Sequence, residues 1–161
     1  MAADRSPAAA GAYSIRPVRP EDLARLAVLC AAHAEFEQAP PPPHDLADRL
    51  RPALFAPQAR LWCLVVCVGD ELVGYLSYTL EFSTWQAAEF VHMDCVFLTE
   101  DYRGRGLGTA LLDHLCGIAR HIGVRQIQWQ TPSWNTDAIR FYDRSGARGA
   151  HKIRYTLRPE D

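Results

Sequence analysis

Lysine is almost missing from this sequence, since Lys152 is the only one among 17 basic residues. No lysine therefore follows a glycine-rich turn, which excludes the nucleotide-binding loop that ends in Gly-Lys-Ser/Thr. The sequence also lacks Cys-x-x-Cys pairs and the His-Glu-x-x-His pattern, so we expect no metal site. No apolar run approaches the ~20 residues that cross a bilayer, and we expect no membrane association.

Charge of either sign is not in excess, because the formal net charge is −2. This balance offers no electrostatic basis for binding nucleic acid or an acidic membrane. Five cysteines with apolar neighbours are typical of reduced thiols in a cytoplasmic protein. A chain of 161 residues suffices for one domain, which we expect over residues 13–161 after a disordered lead at residues 1–12.

Hydrophobic periodicity predicts a mixed α/β protein with helices on both faces of one sheet. The predicted strands cover residues 13–18, 61–68, 71–80, 88–98, 126–130 and 152–157. Helices are predicted from Pro20 onward and over residues 45–55, 107–122 and 137–144. The apolar face of the first helix is predicted to comprise Leu23, Leu26, Ala27, Cys30 and Ala34. That of the third is predicted to comprise Leu107, Leu111, Leu115, Ile118 and Ile122.

The most informative segment is the glycine-rich turn from Arg103 to Gly108, between the fourth strand and the third helix. Such a turn exposes unpaired backbone N–H groups at the positive end of the helix dipole. Glycine lets the backbone approach an anion closely. This segment therefore predicts a phosphate or pyrophosphate site.

Arg103-x-x-Gly106-x-Gly108 resembles the pyrophosphate loop of the GNAT N-acetyltransferases, (Q/R)-x-x-G-x-(G/A). The resemblance extends over most of the chain, through SIRPVRPEDLARLAVL, ELVGYLSYTL, MDCVFLTEDYRGRGLGTALLDHL and WNTDAIRFYDRSGA. Within the family it is closest to the diamine (spermidine/spermine-type) and thialysine acetyltransferases. The motifs shared with these are Phe82-Ser83-Thr84-Trp85, Trp134-Asn135 and Phe141-Tyr142.

This resemblance implies a mostly antiparallel sheet of six to seven strands, in which strands four and five splay apart. Acetyl-CoA would be the co-substrate, with its pantetheine arm in that gap. The edge of Val96, Phe97 and Leu98 and the side chain of Asn135 would bind the arm. The pyrophosphate would lie against Arg103, Gly104, Arg105, Gly106, Leu107, Gly108 and Thr109.

The resemblance also suggests roles in catalysis. Tyr142 would protonate the leaving thiolate, although a core tyrosine and a helix-capping Asn135 are the structural alternative. Asp94 occupies the position of the glutamate that acts as the general base in the related enzymes, and its side chain is one methylene shorter. We expect Asp94 to work with His92, since imidazole has an unperturbed pKa of about 6.5. The two share a face of the strand if no bulge intervenes. A nucleophilic role for the neighbouring Cys95 is an alternative.

An acidic and aromatic pocket would suit a cationic acceptor. Glu35 matches an acidic position after the first helix of the polyamine enzymes, and Trp85 and Trp129 could add aromatic faces.

The sequence therefore predicts a homodimeric acetyl-CoA-dependent N-acetyltransferase of a small primary amine: a polyamine, a diamine or a lysine-like amino acid. An aminoglycoside acetyltransferase and a non-catalytic acyl-CoA-binding sensor are the alternatives.

Overall fold

The computed structural model describes residues 12–159. These fall into two compact units, one within residues 1–130 and the other within residues 131–161. The disordered lead predicted for residues 1–12 lies outside the described residues apart from Ala12. A single domain over residues 13–161 stays a prediction. Within the described part of the chain, no helix is both long enough and apolar enough to cross a membrane.

A five-stranded sheet forms the centre of the first unit, in the order β1-β2-β3-β4-β5. Neighbouring strands from β1 to β4 run antiparallel, and β5 runs parallel to β4. The mixed, mostly antiparallel α/β class predicted from the sequence is therefore confirmed. The strands are β1 (Tyr13–Pro17), β2 (Trp62–Val68), β3 (Glu71–Ser83), β4 (Ala88–Leu98) and β5 (Ile127–Gln128).

In the described part of the chain the sheet has five strands, fewer than the six to seven expected. The segment 152–157 is not a strand, although Ile153, Tyr155 and Leu157 alternate with polar residues as strand residues do. These three side chains are 77%, 85% and 87% exposed. Alternation makes pairing possible, but a strand also needs a neighbour for its backbone hydrogen bonds. For the same reason β5 is shorter than residues 126–130, because only two of its residues pair with β4.

Among residues 12–159, three α-helices belong to the first unit and one to the second. A short 3-10 helix at Pro20–Asp22 leads into the first of them, as Pro20 predicts. The helices are α1 (Leu23–Phe36), α2 (Leu46–Phe55), α3 (Leu107–His121) and α4 (Thr136–Arg144). The start of α1 and both ends of the other three helices lie within a few residues of their predicted positions.

The core of the first unit lies on both faces of the sheet. On one face, residues of α1 and α2 pack on alternate residues of the strands, including Cys63, Val65, Tyr75 and Phe97. We call this the α1 face. Other buried strand residues lie outside this cluster, and α3 contacts β4. They are Leu64, Val66, Val73, Leu76, Val91 and Met93.

The apolar stripes of the helices differ in part from those predicted. The buried residues of α1 are Leu23, Leu26, Leu29 and His33, while Ala27 and Ala34 are half-buried. Those of α3 are Leu107, Leu111, Leu112, Leu115 and Ala119. Ile122, predicted to continue that stripe, is 45% exposed because α3 has already ended at His121.

Both ends of α1 are held by specific hydrogen bonds. At its start, Arg16 of β1 donates two hydrogen bonds to the carboxylate of Asp22, at 2.6 and 2.9 Å. At its end, the N–H groups of Gln38 and Ala39 donate to the carbonyl oxygens of Glu35 and Ala34, which forms a Schellman motif. Gln38 has a φ of 57°, a left-handed conformation that glycine usually supplies.

Candidate active site

The glycine-rich turn adopts the shape expected of an anion site. Gly104 and Gly106 have φ values of 70° and 82°, and Gly106 is the N-cap of α3. Because glycine has no side chain to cap the helix, the first N–H groups of α3 remain available to an outside acceptor. A Cβ atom added to Gly104 would meet nothing within 4 Å, so the loop is open there. These residues fit a pyrophosphate group.

An open strand edge lies directly before this turn. The ladder between β4 and β5 contains only the pairs Val91–Ile127 and His92–Gln128. Residues 93–98 of β4 therefore continue beyond that ladder, consistent with the predicted separation of strands four and five. Their backbone groups on this edge can pair with an extended ligand as a strand would.

The other edge of β4 is tied closely to β3. Val96, Phe97 and Leu98 pair with Leu76, Tyr75 and Gly74. At Gly74, an added Cβ would lie 2.5 Å from Leu98 Cδ2 and 2.6 Å from the carbonyl oxygen of Phe97. Glycine is therefore required for this close approach, which holds the end of β4 rigidly beside the turn.

A β-bulge in β4 determines how the predicted proton-accepting residues are presented. Ser77 of β3 pairs with Cys95 and the next residue, Tyr78, pairs with Met93, which leaves Asp94 as the extra residue. The bulge keeps Asp94 beside Cys95, with Cys95 Sγ 3.6 Å from Asp94 Oδ2. Cys95 packs against the core cluster of the α1 face.

His92 reaches the same face through its own pairing. It lies opposite Thr79, which shares a side of β3 with Ser77 and Tyr75, and opposite residues of an antiparallel pair share a face. His92 and Asp94 therefore both lie on the α1 face, although the condition on which the sequence predicted this, the absence of a bulge, is not met. His92 is half-buried and Asp94 is exposed.

Cys95 is poorly suited to nucleophilic catalysis. Burial and, to a smaller extent, the nearby Asp94 carboxylate raise the pKa of its thiol to about 12. At neutral pH the side chain is a protonated thiol, and the thiolate is the reactive species. The geometry instead makes Cys95 a hydrogen-bond donor to Asp94.

α1 brings a buried histidine to this face. His33 Nδ1 lies 3.0 Å from the Tyr75 hydroxyl oxygen, and Nε2 lies 3.2 Å from Glu37 Oε1. The imidazole also stacks on Phe97, with ring centroids 5.1 Å apart. Burial lowers the pKa of His33, an effect that the Glu37 carboxylate opposes. With Nε2–H donating to Glu37, Nδ1 accepts from Tyr75.

Glu37, and not Glu35, belongs to this face. α1 packs on the sheet through Leu26, Leu29 and His33, and Glu37 follows His33 by four residues, one helical turn. Glu35 is exposed, and its two-residue offset from His33 turns its side chain about 200° away around the helix axis. Neither His33 nor Glu37 is among the site residues predicted from the sequence, although their helical spacing from Leu26 places both on the buried side of α1.

The predicted substrate aromatics occupy different places. Trp85 is in the turn between β3 and β4 and is 97% exposed. Ala88 precedes Asp94 by six residues of extended strand, about 20 Å, and Trp85 lies beyond Ala88 in the turn. Trp129 is half-buried and immediately follows β5.

Asn135 and Tyr142 lie on α4, in the second unit. Asn135 is the N-cap of the helix, and its Oδ1 accepts a hydrogen bond of 3.2 Å from the N–H of Ala138. Tyr142 is half-buried and packs against Phe141, with ring centroids 5.2 Å apart. The prediction that Asn135 and Tyr142, seven residues apart, share a helix face requires both to be helical, and Asn135 precedes the first helical residue of α4, so it stays a prediction. Their roles toward acetyl-CoA stay predictions.

Comparison with known proteins supports the same interpretation. Residues 26–147 match the model of the Acetyltransferase (GNAT) family. The chain is 26% identical to a thialysine N-epsilon-acetyltransferase of Caenorhabditis elegans, over 81% of this chain and 80% of that protein. It is 27% identical to the Mus musculus enzyme of the same name, over 83% of each chain. A possible acetyltransferase from Clostridium difficile 630 shares its fold, with a TM-score of 0.78, 20% identity and coverage of 92% and 99%. This chain belongs to the GNAT family and is an acetyltransferase.

Proposed function

We propose that this protein transfers the acetyl group of acetyl-CoA to a primary amine of a small cationic acceptor. The acceptor would be a lysine-like amino acid, a diamine or a polyamine. The observation that carries the proposal is the position of Asp94. Its carboxylate lies on the α1 face of β4. One edge of β4 pairs with β3, and the end of β4 leads into the glycine-rich turn.

The turn and the strand edge supply the binding functions. Gly104, Gly106 and the first turn of α3 would hold the pyrophosphate through backbone N–H groups. The free edge of β4 at Val96–Leu98 would pair with the pantetheine amides, and one of its N–H groups would stabilise the charge that develops on the thioester oxygen. Because Gly74 holds this segment tightly against β3, the donors are preorganised.

Acetyl-CoA supplies the thioester that the amine attacks, so that a C–N bond forms and the C–S bond breaks. An aliphatic ammonium group has a pKa near ~10.4 and must lose a proton first. Asp94 and His92 would take this proton, since both lie on the α1 face. Tyr142 would donate a proton to the departing sulfur.

Negative charge on the α1 face favours a cationic acceptor. Asp94 and Glu37 are both carboxylates there, and Glu37 is held in place by His33. The two relatives named above support such an acceptor, since both are thialysine N-epsilon-acetyltransferases.

The acceptor class is tested by comparing kcat/KM for a panel of amines at saturating acetyl-CoA. The panel contains thialysine, lysine, ornithine, putrescine, spermidine and several aminoglycosides. We expect the highest kcat/KM for one of the first five compounds, with product mass increased by one acetyl group. A preference for aminoglycosides would contradict the proposed acceptor class. Binding of acetyl-CoA without transfer to any amine would identify a sensor.

A further inference from the structure

The backbone and the side chain of Arg103 belong to different environments. Its backbone lies in the glycine-rich turn, but its Nε donates a hydrogen bond of 2.9 Å to the carbonyl oxygen of Leu98, the last residue of β4. Its guanidinium carbon lies 4.4 Å from the ring centroid of Phe36 and 5.2 Å from that of Phe97. Both distances are within the range of a cation–π interaction.

These contacts join two elements that carry the acceptor side of the site. Phe36 is the last residue of α1, and Phe97 lies in β4 three residues after Asp94. The two rings are 6.5 Å apart, and Phe97 also stacks on His33. The guanidinium group therefore lies over both rings and bridges the end of α1 to the end of β4.

The last turn of α1 contains an unfavourable backbone conformation that such a contact would stabilise. Its Schellman motif has Gln38 in the left-handed conformation, where a side chain is unfavourable, and four prolines follow at residues 40–43. Glu37, the carboxylate that His33 holds, lies in this same turn.

We infer that the side chain of Arg103 is a positioning residue for the acceptor side, holding the last turn of α1 against the end of β4. This inference rests on the proposed function, in which the acceptor binds on the α1 face. It assigns to the Arg103 side chain a role distinct from that of its backbone. A guanidinium that binds pyrophosphate is the alternative, because guanidinium groups also pair well with phosphate oxygens.

Arg105 offers a matched control. It is an arginine of the same turn, and its guanidinium carbon lies 5.4 Å from the ring centroid of Tyr102 and not over Phe36. Arg103→Gln and Arg105→Gln thus remove the same charge from the same loop. Only the first removes the contact with α1.

Amide hydrogen exchange measures the contact without needing enzyme activity. The reporters are the N–H groups of Glu37, Gln38 and Ala39, which are hydrogen-bonded within the last turn of α1. We expect Arg103→Gln to accelerate their exchange roughly five- to tenfold, with core amides of β2 unchanged. Arg103→Lys should give a smaller increase, because it keeps the cation but loses the Nε–H donor. Unchanged exchange in Arg103→Gln, or equal acceleration in Arg105→Gln, would overturn the inference.

Kinetics separate this role from phosphate binding. In Arg103→Gln we expect the KM for the amine to rise roughly five- to tenfold, while the Kd of acetyl-CoA measured by calorimetry changes by less than about twofold. A loss of acetyl-CoA affinity with an unchanged amine KM would overturn the inference. If the wild-type protein acetylates no amine, the proposed function fails, and the exchange measurement still decides whether Arg103 holds α1.

Discussion

Asp94 and Cys95 are neighbours along β4, and Cys95 Sγ lies 3.6 Å from Asp94 Oδ2. Consecutive residues of a regular strand point to opposite faces, so this contact depends on the bulge at Asp94. The bulge has two consequences. It keeps the carboxylate on the α1 face, and it supplies that carboxylate with a donor from the core.

Removal of the proposed base should lower activity selectively. We expect Asp94→Asn to reduce kcat/KM for the amine about 100-fold and His92→Gln about tenfold, since general-base catalysis typically contributes 10²–10⁴-fold. Asp94→Glu should restore part of the activity. Cys95→Ser is the control, because it keeps a donor beside the carboxylate. Full activity in both Asp94→Asn and His92→Gln would exclude this pair as the route for the proton.

The role of the glycine-rich turn in binding acetyl-CoA can be tested by comparing one of its glycines with a glycine elsewhere that also has a positive φ. Gly106 has a φ of 82°, and Gly69 in the β2–β3 turn has a φ of 58°. Alanine at either position should destabilise the fold by about 1 kcal/mol, because both conformations disfavour a side chain. Only Gly106→Ala should also raise the Kd of acetyl-CoA, by at least roughly tenfold, since its Cβ would obstruct the anion. Equal Kd values in the two variants would contradict the assignment of the turn.

The stability of the fold should depend on pH through Asp22, whose side chain is 10% exposed. Hydrogen bonds from Arg16 lower the pKa of this carboxyl below its ordinary value. A carboxyl with a lowered folded-state pKa stabilises the protein above about pH 4, and the contribution is lost as the pH falls through the folded-state pKa. Asp22→Asn should therefore cost about 1.5–3 kcal/mol of unfolding free energy at pH 7, and this cost should decrease as the pH is lowered below about 4.

An exposed ion pair provides the comparison for Asp22. Asp45 accepts a hydrogen bond of 2.8 Å from Arg49, but their side chains are 38% and 64% exposed. Asp45→Asn should leave the urea unfolding midpoint nearly unchanged at pH 7, because solvent screens such pairs. If both asparagine variants unfold at the same urea concentration, burial of the Arg16–Asp22 pair has no effect on stability.

The left-handed residue at the end of α1 should be a site of stabilisation. α4 ends in the same motif with Gly146, at a φ of 88°, where α1 has Gln38. We expect Gln38→Gly to raise the free energy of unfolding by about 0.5–1 kcal/mol and Gly146→Ala to lower it by about 1 kcal/mol. Thermal unfolding of both variants measures the difference. A lower melting temperature in Gln38→Gly would show that its side chain makes contacts that outweigh the backbone strain.

Much of the fold could be predicted because its elements carry clear periodic patterns. β4 has its predicted bounds, the turn between β2 and β3 falls at Gly69 with a positive φ, and Gly146 ends α4. In each case the local residues are sufficient to define the structure. The glycine-rich turn before α3 is of the same kind.

The remaining features depend on pairing and contacts with residues distant in the sequence, which the local sequence does not specify. The alternation of residues 152–157 predicts a strand, but it does not show whether a neighbouring strand is available for backbone hydrogen bonds. The bulge at Asp94 arises from the pairing of β4 with β3, where Ser77 and Tyr78 face three residues of β4. The family resemblance points to Glu35, whereas the helical spacing from His33 favours Glu37.

The central claim is that this protein transfers an acetyl group to a small primary amine with Tyr142 as the acid. The most direct measurement is amine-dependent release of the CoA thiol from acetyl-CoA, for the wild type and for Tyr142→Phe. The account predicts turnover by the wild type, with a kcat about 100-fold lower in Tyr142→Phe and an unchanged Kd for acetyl-CoA. An undiminished kcat in Tyr142→Phe would contradict the role of the tyrosine. Binding of acetyl-CoA with no amine-dependent thiol release would contradict the account as a whole.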